Sequence, residues 1–132
     1  MRKLRVLAAS SRERGAAAVE FALVLTLLLM LIFGIIDFGR AYNAQVTLTQ
    51  AAREGARLVA LNQANAVGRT KDAATGLSGV TVTIVQSCPA NANQGVDAIV
   101  TTSYQFSFTA PQLLGLDPTI TLHGTGRMPC QG

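Results

Sequence analysis

The first strong pattern along the chain is an apolar run over residues 16–36. Its twenty-one residues contain a single charge, Glu20. At about 1.5 Å per helical residue, a run of this length crosses the hydrocarbon core of a bilayer. The pattern therefore predicts a transmembrane helix, which we assign to residues 16–37.

Beyond the apolar run, small and apolar residues continue at helical spacing while polar residues take another face. The apolar set is Ala41, Ala44, Leu48, Ala51, Gly55 and Leu58, and the polar set is Asn43, Thr47, Gln50, Glu54 and Arg57. This arrangement predicts an amphipathic continuation of the same helix over residues 38–62. Residues 62–79 are rich in Asn, Ala, Gly and Thr without firm periodicity, which predicts a helix end followed by a loop.

The remainder of the chain changes to a period of two. Apolar and polar residues alternate in three segments, residues 80–84, 103–108 and 119–123. Each segment is typical of a strand with one apolar face. We therefore predict an α+β fold in which the long N-terminal helix packs on a small antiparallel sheet of about three to four strands, formed by residues 63–132.

Charge is concentrated at the start of the chain. Residues 1–15 carry five basic residues against one acidic residue, whereas six basic and six acidic residues balance in the rest. Under the positive-inside rule the basic segment stays in the cytoplasm, so the residues after 37 are expected outside. A neutral remainder lacks the basic surface that nucleic-acid binding requires, and we predict no nucleic-acid partner.

Residues for catalysis are sparse. His123 is the only histidine, so a metal site or a Ser-His-Asp system would depend on one residue. The sequence contains no phosphate loop and no dinucleotide fingerprint. We therefore predict that the protein is not an enzyme and that it uses no metal, no cofactor and no small-molecule substrate.

The two cysteines, Cys88 and Cys130, both lie far beyond the apolar run. An exported domain meets an oxidising compartment, so a disulfide between them is a candidate, with two free structural cysteines as the alternative. The bond would close a loop of about forty residues and stabilise a small domain by roughly 4 kcal/mol.

The most informative motif lies where the apolar run begins. A charged leader, residues 1–15, ends in Gly15, and Glu20 is the fifth residue after that glycine. This motif resembles the processing site of type IV pilins and pseudopilins, in which a prepilin peptidase cuts after the glycine on the cytoplasmic side. The resemblance implies a cut between Gly15 and Ala16, and an assembly charge pair between Glu20 and the free amine of Ala16 in a neighbouring subunit.

Two alternatives to this interpretation stay open. A carboxylate at the bilayer centre costs on the order of 2.5–3.5 kcal/mol, but Glu20 lies near the positive end of the helix dipole and can reach the cytoplasmic interface as a simple anchor. The second alternative is a conventional signal peptide. It fits poorly, because such a peptide has an apolar region of about 7–15 residues and no convincing A-x-A cleavage site follows Ile36.

A closer resemblance depends on residues 15–22, 33–40 and 51–57. Together these stretches look like the TadE-like family of pseudopilins, which belongs to the tight-adherence (Tad, or Flp) pilus systems of bacteria. The residues that carry the motif are Asp37, Gly39, Arg40, Arg53, Glu54, Gly55 and Arg57. On a helix surface such charges are otherwise ordinary solvated side chains or weak ion pairs.

This resemblance implies a pilin-like fold and the role of a minor pseudopilin or pilus-assembly component. The implied partners are prepilin peptidase, other pilins or pseudopilins, Tad assembly proteins and membrane lipid. The implied location is the bacterial inner membrane, with the N-terminus in the cytoplasm and the C-terminal domain outside, or a cell-surface pilus. The resemblance does not distinguish a filament subunit from a tip component or a membrane-resident assembly factor.

Two functions of another class remain as alternatives. The chain is then an uncleaved single-pass membrane protein whose domain of residues 63–132 binds an envelope partner, or a secreted binding domain that signal peptidase releases.

Overall fold

The computed structural model describes residues 4–89, 95–112 and 115–130, with side chains from Arg14 onward. The chain forms two compact units, Met1–Ile36 and Asp37–Gly132, which we call the N-terminal and C-terminal units. The described elements are α1 (Leu4–Ala60), α2 (Ala66–Ala73), β1 (Thr81–Gln86), β2 (Asp97–Ser107), α3 (Thr109–Gln112) and β3 (Thr119–Pro129).

In the N-terminal unit, the described residues belong to α1. Its apolar side chains face outward, and Leu23 and Leu27 are 66% and 69% exposed. The one helix of the described residues that is long and apolar enough to cross a membrane spans Arg14–Ala60. The hydroxyl of Thr26 donates a hydrogen bond to the carbonyl of Ala22 at 2.8 Å, so this polar group is satisfied within the helix.

Helix α1 already includes Leu4, the first described residue, which lies well before the apolar run. Residues 4–14 contain no proline and consist largely of Leu, Ala, Arg and Glu, which favour a helix. Residues 4–15 therefore continue the helical backbone of the apolar run.

In the C-terminal unit, three strands form one antiparallel sheet in the order β1-β2-β3. The part of α1 that belongs to the C-terminal unit covers one face of this sheet. The predicted α+β fold, with a helix on an antiparallel sheet, is confirmed. Strands β2 and β3 are longer than predicted, since β2 begins at Asp97 and β3 continues to Pro129. Small residues such as Ala98, Gly124 and Gly126 occupy inward-facing positions there and weaken the apolar alternation.

The core is built mainly from small side chains, which bring α1 close to the sheet. The buried apolar side chains of α1 are those of Ala44, Leu48, Ala51, Ala52, Ala56, Leu58, Val59 and Ala60. Opposite them on β3, a Cβ atom added at Gly124 would lie 2.6 Å from the carbonyl oxygen of Leu48. A Cβ atom added at Gly126 would overlap the backbone of Ala52. The two glycines therefore allow backbone-to-backbone packing between helix and strand.

One polar side chain is buried in this contact. The hydroxyl of Thr102 on β2 donates a hydrogen bond to the carbonyl of Leu48 at 3.0 Å, and Thr102 itself is fully buried. This bond opposes sliding of α1 along the sheet, because a shifted helix leaves the hydroxyl only the longer bond, at 3.4 Å, to the carbonyl of Gly124.

The prediction of a loop over residues 62–79 is wrong, because α2 occupies Ala66–Ala73. Ala66 and Thr70 lie on its buried side, and the Thr70 hydroxyl donates to the Ala66 carbonyl at 2.7 Å. Gly55 of α1 makes room for this helix, since a Cβ atom there would lie 2.5 Å from the Thr70 hydroxyl oxygen. Tertiary packing thus stabilises a segment with weak intrinsic helix propensity.

Candidate functional site

The predicted processing residues Gly15, Ala16 and Glu20 all lie exposed on α1 in the N-terminal unit. A Cβ atom added at Gly15 would meet no atom within 4 Å, so space within this chain does not require a glycine there. A glycine inside a helix costs about 1 kcal/mol relative to alanine. The turn around Gly15 is therefore easier to unwind, and a protease that cuts an extended backbone needs such unwinding.

The motif residue Asp37 is buried in the C-terminal unit, with only 3% of its surface exposed. Its carboxylate accepts a hydrogen bond from the backbone N–H of Thr109 at 3.1 Å and one from that of Ala110 at 2.8 Å. These are the first residues of α3, whose N–H groups have no partner inside a helix. Asp37 therefore caps α3 and joins α1 to the connection between β2 and β3.

Arg40 completes this arrangement from the next turn of α1. Its Nη1 atom lies 3.3 Å from Oδ1 of Asp37 and also donates to the hydroxyl of Thr109. The guanidinium carbon is 5.4 Å from the centre of the Phe106 ring, which is a cation–π distance. We call Asp37, Arg40, Phe106, Thr109 and Ala110 the Asp37 clamp.

Gly39 lies between the two charged residues of the clamp and is exposed, with no atom within 4 Å of an added Cβ. The described contacts of this chain therefore give no reason for a glycine at this position.

The second part of the motif has a different structural basis. Gly55 is buried against α2 and β2, whereas Arg53 is exposed. Nε of Arg57 lies 3.1 Å from Oε2 of Glu54. This hydrogen bond holds the pKa of the Glu54 carboxyl below its ordinary value and raises the pKa of the Arg57 guanidinium. A lowered carboxyl pKa stabilises the fold at neutral pH and this stability is lost in acid, but the effect is small because both side chains are partly exposed.

Cys88 and Cys130 are joined by a disulfide, with their Cα atoms 5.6 Å apart. The bond connects the segment after β1 to the segment after β3, across the end of the sheet where β2 begins. Cys88 is buried in a cluster with Ala56 and Leu58 of α1. The disulfide therefore lies against the core.

Sequence reasoning singled out Asp37 and Arg40 but not their partners. Thr109 and Ala110 lie more than seventy positions away from Asp37 along the chain, and no local pattern connects the two segments. His123 lies on β3, and the described residues contain no group of three or more His, Cys, Asp or Glu side chains that could hold a metal ion.

Comparison with protein families matches residues 15–57 to the model of the TadE-like protein family. The match includes the apolar run, the first residues of the Asp37 clamp and Gly55, and it confirms the resemblance recognised in the sequence. No curated protein and no solved structure matches the chain. The TadE-like segment and the single apolar helix together indicate a membrane-associated component of a Tad-type pilus system.

Proposed function

We propose that this protein is a minor pseudopilin or pilus-assembly component of a Tad-type pilus, processed after Gly15 by a prepilin peptidase. The observation that carries the proposal is the start of the TadE-like match, which begins at residue 15, the predicted last residue of the leader. Mature chains would then start at Ala16 and be held in the bacterial inner membrane by residues 16–37.

The charge of the leader sets the proposed orientation. Residues 1–15 carry the excess of basic residues and remain in the cytoplasm, so the C-terminal unit lies outside. An oxidising compartment on that side would also maintain the bond between Cys88 and Cys130.

The proposed role of the C-terminal unit is to bind other pilins, pseudopilins or Tad assembly proteins. Its sheet is covered by α1 on one face, and the other face presents mostly hydroxyl side chains, such as those of Thr101, Ser103 and Thr125. A polar surface of this kind suits contact with other proteins. We propose no catalytic activity.

The alternative function is an uncleaved single-pass membrane protein whose residues 63–132 bind an envelope partner. N-terminal sequencing of protein taken from membranes distinguishes the two, because processing gives Ala16 and the alternative gives Met1. A start beyond the apolar run would instead indicate release by signal peptidase.

A Gly15→Leu substitution is expected to block removal of the leader, because the peptidase must place a small residue in extended conformation at the cut. Intact mass of the membrane-extracted protein measures the result. Gly34→Leu is the matched control, since Gly34 also lies on α1 with no atom within 4 Å of an added Cβ. A mature mass in both variants would contradict a prepilin cut after Gly15.

A Glu20→Ala substitution is expected to preserve membrane insertion and processing but to reduce assembly. Removal of the charge lowers the transfer cost, whereas the Ala16 amine of a neighbouring subunit loses its partner in low dielectric. The readout is recovery with other pilus components relative to the amount of mature protein in membranes. Thr26→Val is the control for loss of a polar group in the apolar run. Normal recovery of the Glu20 variant would show that Glu20 is only an interfacial anchor.

A further inference from the structure

Strand β2 is longer than its neighbour β1, and this leaves a notch in the sheet. The pairing of β1 with β2 ends where Thr81 lies opposite Ser103. β2 continues to Ser107, so residues 104–107 have β3 on one side and no described strand on the other. We call this unpaired edge the notch.

The backbone hydrogen bonds between β2 and β3 show which backbone groups of β2 face the notch instead. Just beyond the two ends of β2, the N–H of Cys130 donates to the carbonyl of Val96 at 2.9 Å, and the N–H of Phe108 donates to the carbonyl of Pro118. Val96 and Phe108 are both even-numbered, and hydrogen-bonded and non-hydrogen-bonded pairs alternate along two antiparallel strands. The N–H and C=O groups of the even-numbered residues of β2 therefore point towards β3. The N–H and C=O groups of Gln105 and Ser107 consequently face the notch.

Gly79 lies two residues before β1, beside the notch. Its backbone has a φ of 81°, in the left-handed region that other residues rarely adopt. A left-handed backbone does not continue an extended strand, and Val80, which follows it, is buried in the core. The pairing of β1 therefore stops at Thr81, and the left-handed glycine two residues earlier does not extend the strand into the notch.

A hollow lies on each face of the sheet beside the notch. The outer hollow, of about 500 Å³, is lined by Ser78, Gly79, Thr81, Ser103, Tyr104, Gln105 and Thr121. The inner hollow, of about 190 Å³, includes Arg40, Asn43, Thr47, Thr75, Tyr104 and Phe106. Successive side chains of an extended peptide point to opposite faces of a sheet. A peptide paired with β2 in the notch would therefore place alternate side chains in the two hollows.

The two hollows differ in charge. The outer hollow has a neutral lining with several hydroxyl groups. Arg40 is the charged residue among those that line the inner hollow, and its side chain is 53% exposed. The described contacts of Arg40 with Asp37 and Thr109 both use Nη1. Since a guanidinium has five N–H donors, Arg40 retains donors for a second carboxylate.

We propose that the notch binds an extended segment of a partner protein by strand addition, with an acidic side chain in the inner hollow beside Arg40 and a small polar side chain in the outer hollow. Backbone hydrogen bonds to Gln105 and Ser107 supply affinity, and the hollows supply selectivity. The N–H donors of Arg40 that the pair with Asp37 does not use identify the occupant as an acidic segment.

The test uses full-length protein in detergent and synthetic peptides of about six residues, acetylated and amidated, in which threonine alternates with one variable position. The variable residue is Glu, Gln or Lys. The Glu peptide is expected to bind about three- to fivefold more tightly than the Gln peptide, as a partly exposed ion pair allows, and the Lys peptide most weakly. On binding, the amides of Gln105 and Ser107 should become protected from hydrogen exchange.

Two controls separate strand addition from simple attraction of charge. A Glu peptide N-methylated at the amides that face β2 should lose binding, while one methylated at the alternate amides should keep it. In the protein, Asn43→Glu at the inner hollow should reverse the preference for Glu over Lys, whereas Gln50→Glu, also exposed on α1, should leave it unchanged. Binding that ignores N-methylation would overturn the proposal. So would the absence of binding by every peptide, or a dimer of this chain that protects the same two amides.

Discussion

A Gly126→Ala substitution is expected to lower the free energy of unfolding of the C-terminal unit by about 3 kcal/mol, in the upper range for overpacking. The added Cβ atom would overlap the backbone of Ala52 in α1. Backbone atoms inside a helix cannot turn aside as a flexible side chain can, so α1 or β3 must shift. Chemical unfolding of the full-length protein in detergent, followed by the circular dichroism of the sheet, measures the effect.

Gly39→Ala provides the control for this prediction. Gly39 lies on α1, and no atom is within 4 Å of an added Cβ there. Alanine favours a helix over glycine by about 1 kcal/mol, so this variant should be as stable as the parent or slightly more stable. If the Gly126 variant matched the Gly39 variant in stability, α1 and β3 could not be in backbone contact at this point.

The TadE-like motif has two structural roles in the C-terminal unit. Asp37 and Arg40 hold the connection between β2 and β3 through Thr109 and Ala110. Gly55 brings α1 close to α2. The family match ends at residue 57, so both roles connect the matched helix to a distal domain that lies outside the match.

The face of α1 that covers the sheet was predictable from the sequence. Five of the six residues selected by apolar spacing are buried, and Ala41 is half-buried. The five are Ala44, Leu48, Ala51, Gly55 and Leu58. The signal was clear because a helix that is half covered must place small or apolar residues at every third or fourth position. The change to a period of two also located three strands, since each has one face against α1.

The partners of Asp37 and the helix α2 were not predictable in this way. The clamp depends on hydrogen bonds between segments far apart in sequence, which leave no periodic trace. Helix α2 contains Gly68 and Thr70, both weak helix formers, and is stabilised by the pocket that Gly55 opens. The full length of β3 was also not predictable from the sequence. Its contact with the backbone of α1 requires glycine at positions where an apolar residue would otherwise indicate a strand.

The largest stability effect is expected from the bond between Cys88 and Cys130. Replacement of both residues by alanine should lower the free energy of unfolding by roughly 4 kcal/mol, because the bond closes a loop across a sequence separation of 42 residues. The C-terminal unit has a thin core made largely of alanine. A loss of this size is a large part of the stability of a small domain.

Two measurements test this prediction independently. Unfolding of the double alanine variant should match that of the parent protein under reducing conditions, since the variant differs from the reduced parent only by two small side chains. A non-reducing peptide map of protein recovered from its native envelope should contain the linked Cys88 and Cys130 peptides. Two freely alkylated thiols in that material would refute the bond. An oxidised parent no more stable than the double variant would show instead that the bond forms but that the closed loop does not contribute to the stability of the C-terminal unit.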